Sequence, residues 1–230
     1  MNIKTFFEQV LTILWKDIRC ELRSKQVWMG MGLFALLVLV IFNFAFDLRV
    51  ENKAAVAPGA LWVAFVFASF LGLGRTIAAE REKGSFDRLL LCPVDRKAIY
   101  LAKLLGNVLF IGVVEIVALP VFAILFNVPF AIDGLLPIVL LGTIGIASVG
   151  TLFSTMAAAT QARELLLPIL VFPLIVPVVI GAVRATGSLM VSGVSGGPTP
   201  NEPPWLGLMI AFDVIFLSVS MLTFEYVIEE

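Results

Sequence analysis

Two carboxylic acids lie near the middle of long apolar stretches, and they are the residues best placed to do chemistry. They are Glu115 and Asp213. An acidic side chain at mid-membrane is costly, so by default it suggests a proton relay, a cation site or the lining of a polar pathway. The alternative, slightly favoured here, is that each acid is protonated or hydrogen-bonded to a polar neighbour such as Asn107, Ser218 or Ser220. In that case the acids only fix helix packing.

Several kinds of chemistry lack the residues they need. The chain contains no histidine, the commonest metal ligand, general base and haem ligand. The motifs GxxxxGK(S/T), HExxH and CxxC are absent, and so is the glycine pattern that flanks the acids of intramembrane dyad proteases. The two cysteines, Cys20 and Cys92, are predicted to be free thiols. We therefore expect no catalytic site, no metal site and no ATP-binding loop in this chain.

The composition is that of a membrane protein. Hydrophobic residues make up 60% of the 230 residues and charged residues only 14%, whereas soluble domains are about half apolar and about a quarter charged. The net charge of −1 gives no indication of nucleic-acid binding. The length is therefore best counted in membrane spans.

Six apolar stretches are long enough to cross a bilayer. We predict an all-α protein with a single six-span domain over residues 27–230. Residues 1–26 place apolar side chains at helical spacing between basic ones, which predicts an amphipathic interfacial helix with Trp15 and Trp28 at headgroup depth. The predicted spans are 27–46, 54–74, 101–126, 134–160, 165–183 and 205–224.

The distribution of basic residues predicts the orientation. Segment 1–26 carries five Lys and Arg, the central stretch 75–103 carries seven, and the Arg163 loop carries one, whereas the opposite side has three. Because basic residues concentrate on the cytosolic side, both termini and the central stretch are predicted to be cytosolic.

The loop 75–100 is the one long charged interruption, and it carries the signals of a short helix. Gly84 can close the preceding helix, Ser85 can cap the next one, and Asp95 can cap the helix after that. The short helix presents an apolar face that suits docking onto a partner or, equally, resting on the bilayer or on the ends of its own spans. The residues that form or delimit it are Ser85, Phe86, Asp87, Leu89, Leu90 and Pro93.

Two spans have unusual compositions. The fifth carries Pro168, Pro173 and Pro177, which remove backbone hydrogen bonds and predict a hinge or gate or, at least as readily, a static kink. Residues 184–204, rich in Gly, Ser and Pro, are predicted to form a loop.

The fourth span carries small residues that suit close packing, either inside the bundle, which is the safer interpretation, or between subunits. They are Thr143, Ala147, Thr151, Thr155 and Ala159, with Gly142 and Gly150 beside them.

Five stretches, in order along the chain, resemble the CcmB family of membrane permease subunits. They cover about residues 5–183, and the region after Arg184 matches poorly. Each alone is weak, but together they are fairly specific. They are APGALWVA at 57–64, KGSFDRLLLCP at 83–93, LAK at 101–103, LLGT at 140–143 and VFPLIVP at 171–177.

The resemblance implies a type-2 ABC transporter permease of the bacterial inner membrane that serves cytochrome c maturation. It implies ATP on a separate CcmA-like ATPase docked under the loop, with 84–93 as the coupling helix, and CcmC-like and CcmD-like membrane partners. Haem, or the release of a haem–chaperone complex, is the implied cargo, and a second copy of the chain is a candidate partner.

One departure bears on the cargo. Family members carry a histidine a few residues after the LAK motif, where Asn107 is the nearby polar residue here. Strong axial ligation of haem iron by this chain is therefore not expected, which leaves Tyr100 or Met190 as weaker candidates.

Two alternatives to a role in cytochrome c maturation stay open. They are a type-2 permease for a lipid or drug and a membrane scaffold that transports nothing.

Overall fold

Helices form all the regular secondary structure of the described residues, which in this computed structural model are 3–47, 53–82, 84–128, 134–157, 163–192 and 204–229. Six of them are long and apolar enough to cross a membrane, which confirms the predicted all-α class and number of spans. The helices are α1 (Ile3–Ser24), α2 (Gln26–Asp47), α3 (Lys53–Glu82), α4 (Ser85–Leu90), α5 (Arg96–Phe126), α6 (Leu135–Ala157), α7 (Arg163–Ser192) and α8 (Trp205–Glu229).

Three helices extend beyond the apolar stretches from which the spans are predicted. The helix of the second span continues through Glu82, although its apolar window ends at Arg75, next to the predicted 74. The helix of the third span begins at Arg96, directly after its predicted cap Asp95 and before the predicted span start at 101. The fifth continues to Ser192, so the prediction of a loop is wrong for 184–192, while 193–203 lie outside the described residues. Helical hydrogen bonding continues past the apolar window because side chains such as Ala185 and Leu189 still pack in the core.

The prolines of α7 do not interrupt it. Pro168, Pro173 and Pro177 all lie inside one helix, which runs from Arg163 to Ser192. Pro58 and Pro120 are likewise inside α3 and α5. Neighbouring helices allow a membrane helix to tolerate the missing backbone donors. A hinge or gate role for the three residues stays a prediction.

Two helices form the centre of the bundle. In their most apolar windows, α3 is 72% buried and α6 is 67% buried, against 17% for α2 and 22% for α8. The small residues of α6 explain its position: the Trp62 ring and Leu73 of α3 lie so close to Gly142 and Gly150 that a methyl group at either glycine would overlap them. The internal packing of this face is therefore confirmed for 142–155, while Ala159 lies outside the described residues.

The N-terminal helix packs against α5 with one face. Val10 and Ile13 are buried in the core, and Leu14 lies against Gly106 of α5. Trp15 is 57% exposed beneath the guanidinium of Arg19, which suits the interfacial position predicted for it. Trp28 differs, since its ring packs against Phe110.

Candidate functional site

Four charged side chains from three helices meet at one end of the bundle, where α1 lies across the end of α3 and the start of α5. We call Lys16, Asp17, Glu80 and Lys103 the basic-end cluster. Lys103 Nζ lies 2.8 Å from an Asp17 oxygen and also forms an ion pair with Glu80. Lys16 Nζ lies 2.9 Å from Asp17 and 3.0 Å from Glu80. Each acid is thus paired with both lysines.

Burial makes the cluster more than a surface ion pair. The side chain of Lys103 is 7% exposed and that of Asp17 is 10% exposed. Burial raises the pKa of Asp17 above its ordinary 3.8, although the Lys103 charge opposes the rise. Burial would raise the pKa of Glu80 too, but the charges of Lys103 and Lys16 hold it below its ordinary 4.5. Removing one cation would leave buried acids only partly compensated.

The short helix α4 is joined to this cluster through Glu80. Gly84 adopts a left-handed conformation with φ of +61°, as predicted, and α4 begins directly after it. Ser85 is the first residue of α4, and its hydroxyl donates to the Glu80 carbonyl at 3.0 Å. Its hydrogen bond therefore connects α4 to the last turn of α3, and this bond does not cap α4.

The residues predicted to dock on a partner are described only in part. Leu89 packs partly against the chain's own core, whereas Leu91, just after α4, is 86% exposed. The predicted residues Phe86, Asp87 and Leu90 fall within α4, but their side chains lie outside the described residues. Pro93 is exposed in the turn that follows.

The junction between α4 and α5 gathers further elements at the same end. Asp95 caps α5, accepting from the Lys97 N–H at 2.8 Å as predicted, and its own N–H donates to Gln9 of α1 at 3.4 Å. Arg96 donates to the Glu225 carbonyl near the end of α8 at 3.4 Å. The adjoining ends of α3, α5 and α8 therefore lie together beneath α1, and we call this the basic end.

A row of hydroxyl groups on α6 meets the polar residues of α5 and α8 inside the bundle. Asn107 donates to the Thr151 hydroxyl at 2.9 Å. Tyr100 is fully buried and donates to the Ser148 carbonyl at 3.1 Å. Tyr100 is therefore engaged inside the bundle, and Met190 is also packed against the core. Haem ligation by either residue stays a prediction.

Glu115 faces α6 at the middle of the bundle. The Thr143 hydroxyl lies 2.8 and 2.6 Å from its two carboxyl oxygens and 2.8 Å from the Val139 carbonyl. One hydroxyl proton cannot serve all three oxygens. Thr143 therefore donates either to Glu115 or to Val139. With a proton on the Glu115 carboxyl, one carboxyl oxygen can donate to Thr143 while Thr143 donates to Val139, so that two of the three contacts are hydrogen bonds.

Asp213 approaches α6 from the other side and is packed differently. It is 5% exposed, and neither carboxyl oxygen has a hydrogen-bond partner among the described residues. One of these oxygens lies 2.7 Å from where a β-carbon on Gly145 would be. Ser218 and Ser220, the neighbours expected from the sequence, instead donate to the carbonyls of Val214 and Ser148. A larger residue at position 145 would therefore require this carboxyl group to move.

The sequence reasoning missed the basic-end cluster. Its members lie at positions 16, 17, 80 and 103, and nothing in the sequence predicts that they meet. A weak signal existed: Lys103 lies inside an apolar stretch, in the LAK motif, and a buried lysine requires an acid.

Together, the six spans, the central α6 and the charged end of the bundle define the chain as a polytopic α-helical membrane protein. The family model for "CcmB protein" matches residues 8–229, which is nearly the whole chain. The chain therefore belongs to the CcmB family, as the five sequence stretches predict. The match continues past residue 183, beyond which the sequence resemblance is poor.

Curated relatives agree. "Heme exporter protein B" of Rhodobacter capsulatus is 32% identical over 170 residues, 73% of this chain and 78% of the relative. The protein of the same name from Bradyrhizobium diazoefficiens is 31% identical over 186 residues, 80% of this chain and 84% of the relative. That of Pseudomonas aeruginosa is 29% identical over 200 residues, 86% of this chain and 88% of the relative.

Proposed function

We propose that this chain is the membrane permease subunit of a haem-export ABC system for cytochrome c maturation. Membership of the CcmB family and the name of its relatives, "Heme exporter protein B", support this function. A separate CcmA-like ATPase supplies the energy, and CcmC-like and CcmD-like membrane proteins complete the complex. The cargo is haem or a haem–chaperone complex that the system releases.

We propose further that the complex lies in the bacterial inner membrane with both termini in the cytosol. The support is the charge distribution: the segments assigned to the cytosolic side carry thirteen of the sixteen Lys and Arg residues. The positive-inside rule therefore puts the basic end in the cytosol, where an ATPase can reach α4.

The observation that carries the mechanism is the attachment of α4 to the basic-end cluster. Ser85 is bonded to the last turn of α3, and Glu80 in that turn is paired with Lys16 of α1 and Lys103 of α5. When the nucleotide sites of a docked ATPase close, the ATPase pushes α4. The displacement of α4 is therefore transmitted to α1, α3 and α5 together. Movement reaches α6 through α5, whose Asn107 and Glu115 are bonded to it.

The docking role of α4 can be tested with the exposed residue beside it. Leu89→Asp would abolish docking in this account, but it also disturbs the chain's own core. Leu91→Asp is cleaner, because Leu91 is 86% exposed and we expect its replacement to leave the fold intact. We expect Leu91→Asp to reduce co-purification of the ATPase at least tenfold at an unchanged level of membrane-inserted chain.

Leu136→Asp is the matched control, because Leu136 is 76% exposed in the first turn of α6. An acidic side chain in the first turn of a helix interacts favourably with the helix dipole, so this substitution is compatible with α6. Normal ATPase recovery with both variants would contradict docking at α4. Loss with both would indicate a general defect of the complex and would also contradict it.

A further inference from the structure

An apolar groove runs down the outside of the bundle between α2 and α3 and ends at one arginine. It encloses about 220 Å³. Leu33 and Leu37 of α2 and Leu71 of α3 line it, and all three side chains are exposed, whereas core side chains are buried. Arg75 closes the groove at the basic end, where the apolar window of α3 stops. The groove is thus apolar along its length and cationic at its mouth.

Arg75 is positioned to bind an anion. Its side chain is exposed, and none of the ion pairs among the residues that the structure describes involves it. Its guanidinium lies over Gly30 of α2, 3.9 Å from where a β-carbon would be. The missing side chain at position 30 keeps the mouth open between the cation and the groove.

The length of the groove matches one leaflet of a bilayer. Its lining on α2 runs from Val27 to Leu37, which is about 15 Å of helix at about 1.5 Å per residue. This is about half of a hydrocarbon core of about 30 Å. A chain lying in the groove with its polar head at Arg75 would therefore end at the bilayer midplane, as an acyl chain does.

We propose that this groove binds an anionic phospholipid, with the phosphate on Arg75 and one acyl chain along Leu33, Leu37 and Leu71. Basic pockets between membrane helices are known to select anionic headgroups. Haem is disfavoured because the chain has no histidine and the one sulfur in the lining, of Met31, is buried against Gly72. The bound lipid would fill the α2–α3 groove beside α3, the helix that carries Glu80 and precedes α4.

The test uses the purified chain in mild detergent, offered equal amounts of phosphatidylglycerol and phosphatidylcholine with the same acyl chains. Native mass spectrometry counts the lipids retained. We expect wild type to retain phosphatidylglycerol preferentially. Arg75→Gln should reduce the preference about fivefold, since one basic residue near an anionic surface is worth about 1 kcal/mol. Gly30→Leu should remove the retained lipid by filling the groove.

Two control variants separate groove binding from general attraction. Gly32→Leu adds the same side chain on α2 where nothing lies within 4 Å, and Gly32 is not part of the lining. Arg184→Gln removes an exposed arginine from α7 instead of α3. Both should retain lipid as wild type does, and unchanged thermal unfolding of all variants excludes misfolding.

Four outcomes would overturn the proposal. One is equal retention of the two lipids by wild type, and another is normal retention by Gly30→Leu. Displacement of the lipid by inorganic phosphate at equal concentration would show an anion site without an acyl chain. A change of oligomeric state in Gly30→Leu alone would assign the groove to a second copy of this chain.

Discussion

At the residue scale, the two membrane acids have different environments although the sequence treats them alike. Glu115 is hydrogen-bonded to Thr143, which fits the packing role that the sequence slightly favours. Asp213 has no hydrogen-bond partner among the described residues and lies directly beside Gly145. An unpartnered buried acid is costly, so Asp213 is the better candidate for a functional role in the membrane.

The contact between Trp62 and Gly142 gives a prediction at this scale. A β-carbon at Gly142 would lie 2.1 Å from the Trp62 ring, which is fully buried and held by a 3.1 Å bond from its Nε1 to Thr186. Gly142→Ala should therefore destabilise the protein by about 1–3 kcal/mol through overpacking. Thermal unfolding in detergent measures this.

Gly112→Ala is the control for that substitution. Nothing lies within 4 Å of a β-carbon at Gly112 of α5, and alanine is the better helix former. It should leave the unfolding temperature unchanged or slightly higher. Equal effects of the two substitutions would contradict the close contact between α3 and α6.

At the element scale, the helices were predictable and their meeting points were not. Gly84 and Asp95 are local signals, because a glycine stop and an acidic cap depend only on their neighbours in sequence. The extension of α7 past 183 was missed because apolar content marks the hydrocarbon core and does not mark the helix end. The basic-end cluster depends on tertiary packing of α1, α3 and α5, which no local pattern encodes.

The basic-end cluster predicts a pH-dependent effect of Lys103→Met. Because the pKa of folded Glu80 is lowered, its contribution to stability is present above about pH 4.5 and is lost as pH falls through the folded pKa. The pKa of folded Asp17 is raised, so its effect on stability has the opposite sign. Its contribution to stability decreases as pH rises from about 3.8 through the folded pKa. Without Lys103, both acids are costly when charged.

We therefore expect Lys103→Met to lower stability by about 3 kcal/mol at pH 7 and by clearly less at pH 4, where the stranded acids take up protons. Unfolding temperatures at the two pH values measure the effect. Lys4→Met, at an exposed site on α1, should change neither. The same deficit at both pH values would mean that the cluster is not an electrostatic link.

At the scale of the whole molecule, the class, span number and family followed from composition and motifs. The positions of the acids relative to α6 did not, because periodicity is nearly uninformative when every face of a helix is apolar. Orientation rests on basic residues, and the two cysteines provide a direct check of it. Cys20 and Cys92 are both exposed free thiols, in α1 and just after α4.

The topology predicts that a membrane-impermeant thiol reagent labels these cysteines in inside-out vesicles and not in intact spheroplasts. A Leu136→Cys variant without the two native cysteines should show the reverse, since α6 begins at the opposite end. Labelling of the native cysteines from outside the cell would place the basic end on the wrong side of the membrane for an ATPase.

The central claim is that a partner's ATP hydrolysis drives this chain through α4. It is tested most directly by measuring covalent haem in a c-type cytochrome, in cells whose partner ATPase binds ATP but cannot hydrolyse it. The account predicts that the ATPase still co-purifies with the chain while cytochrome maturation is lost. Normal maturation with that inactive ATPase would contradict the account and would identify the chain as a scaffold.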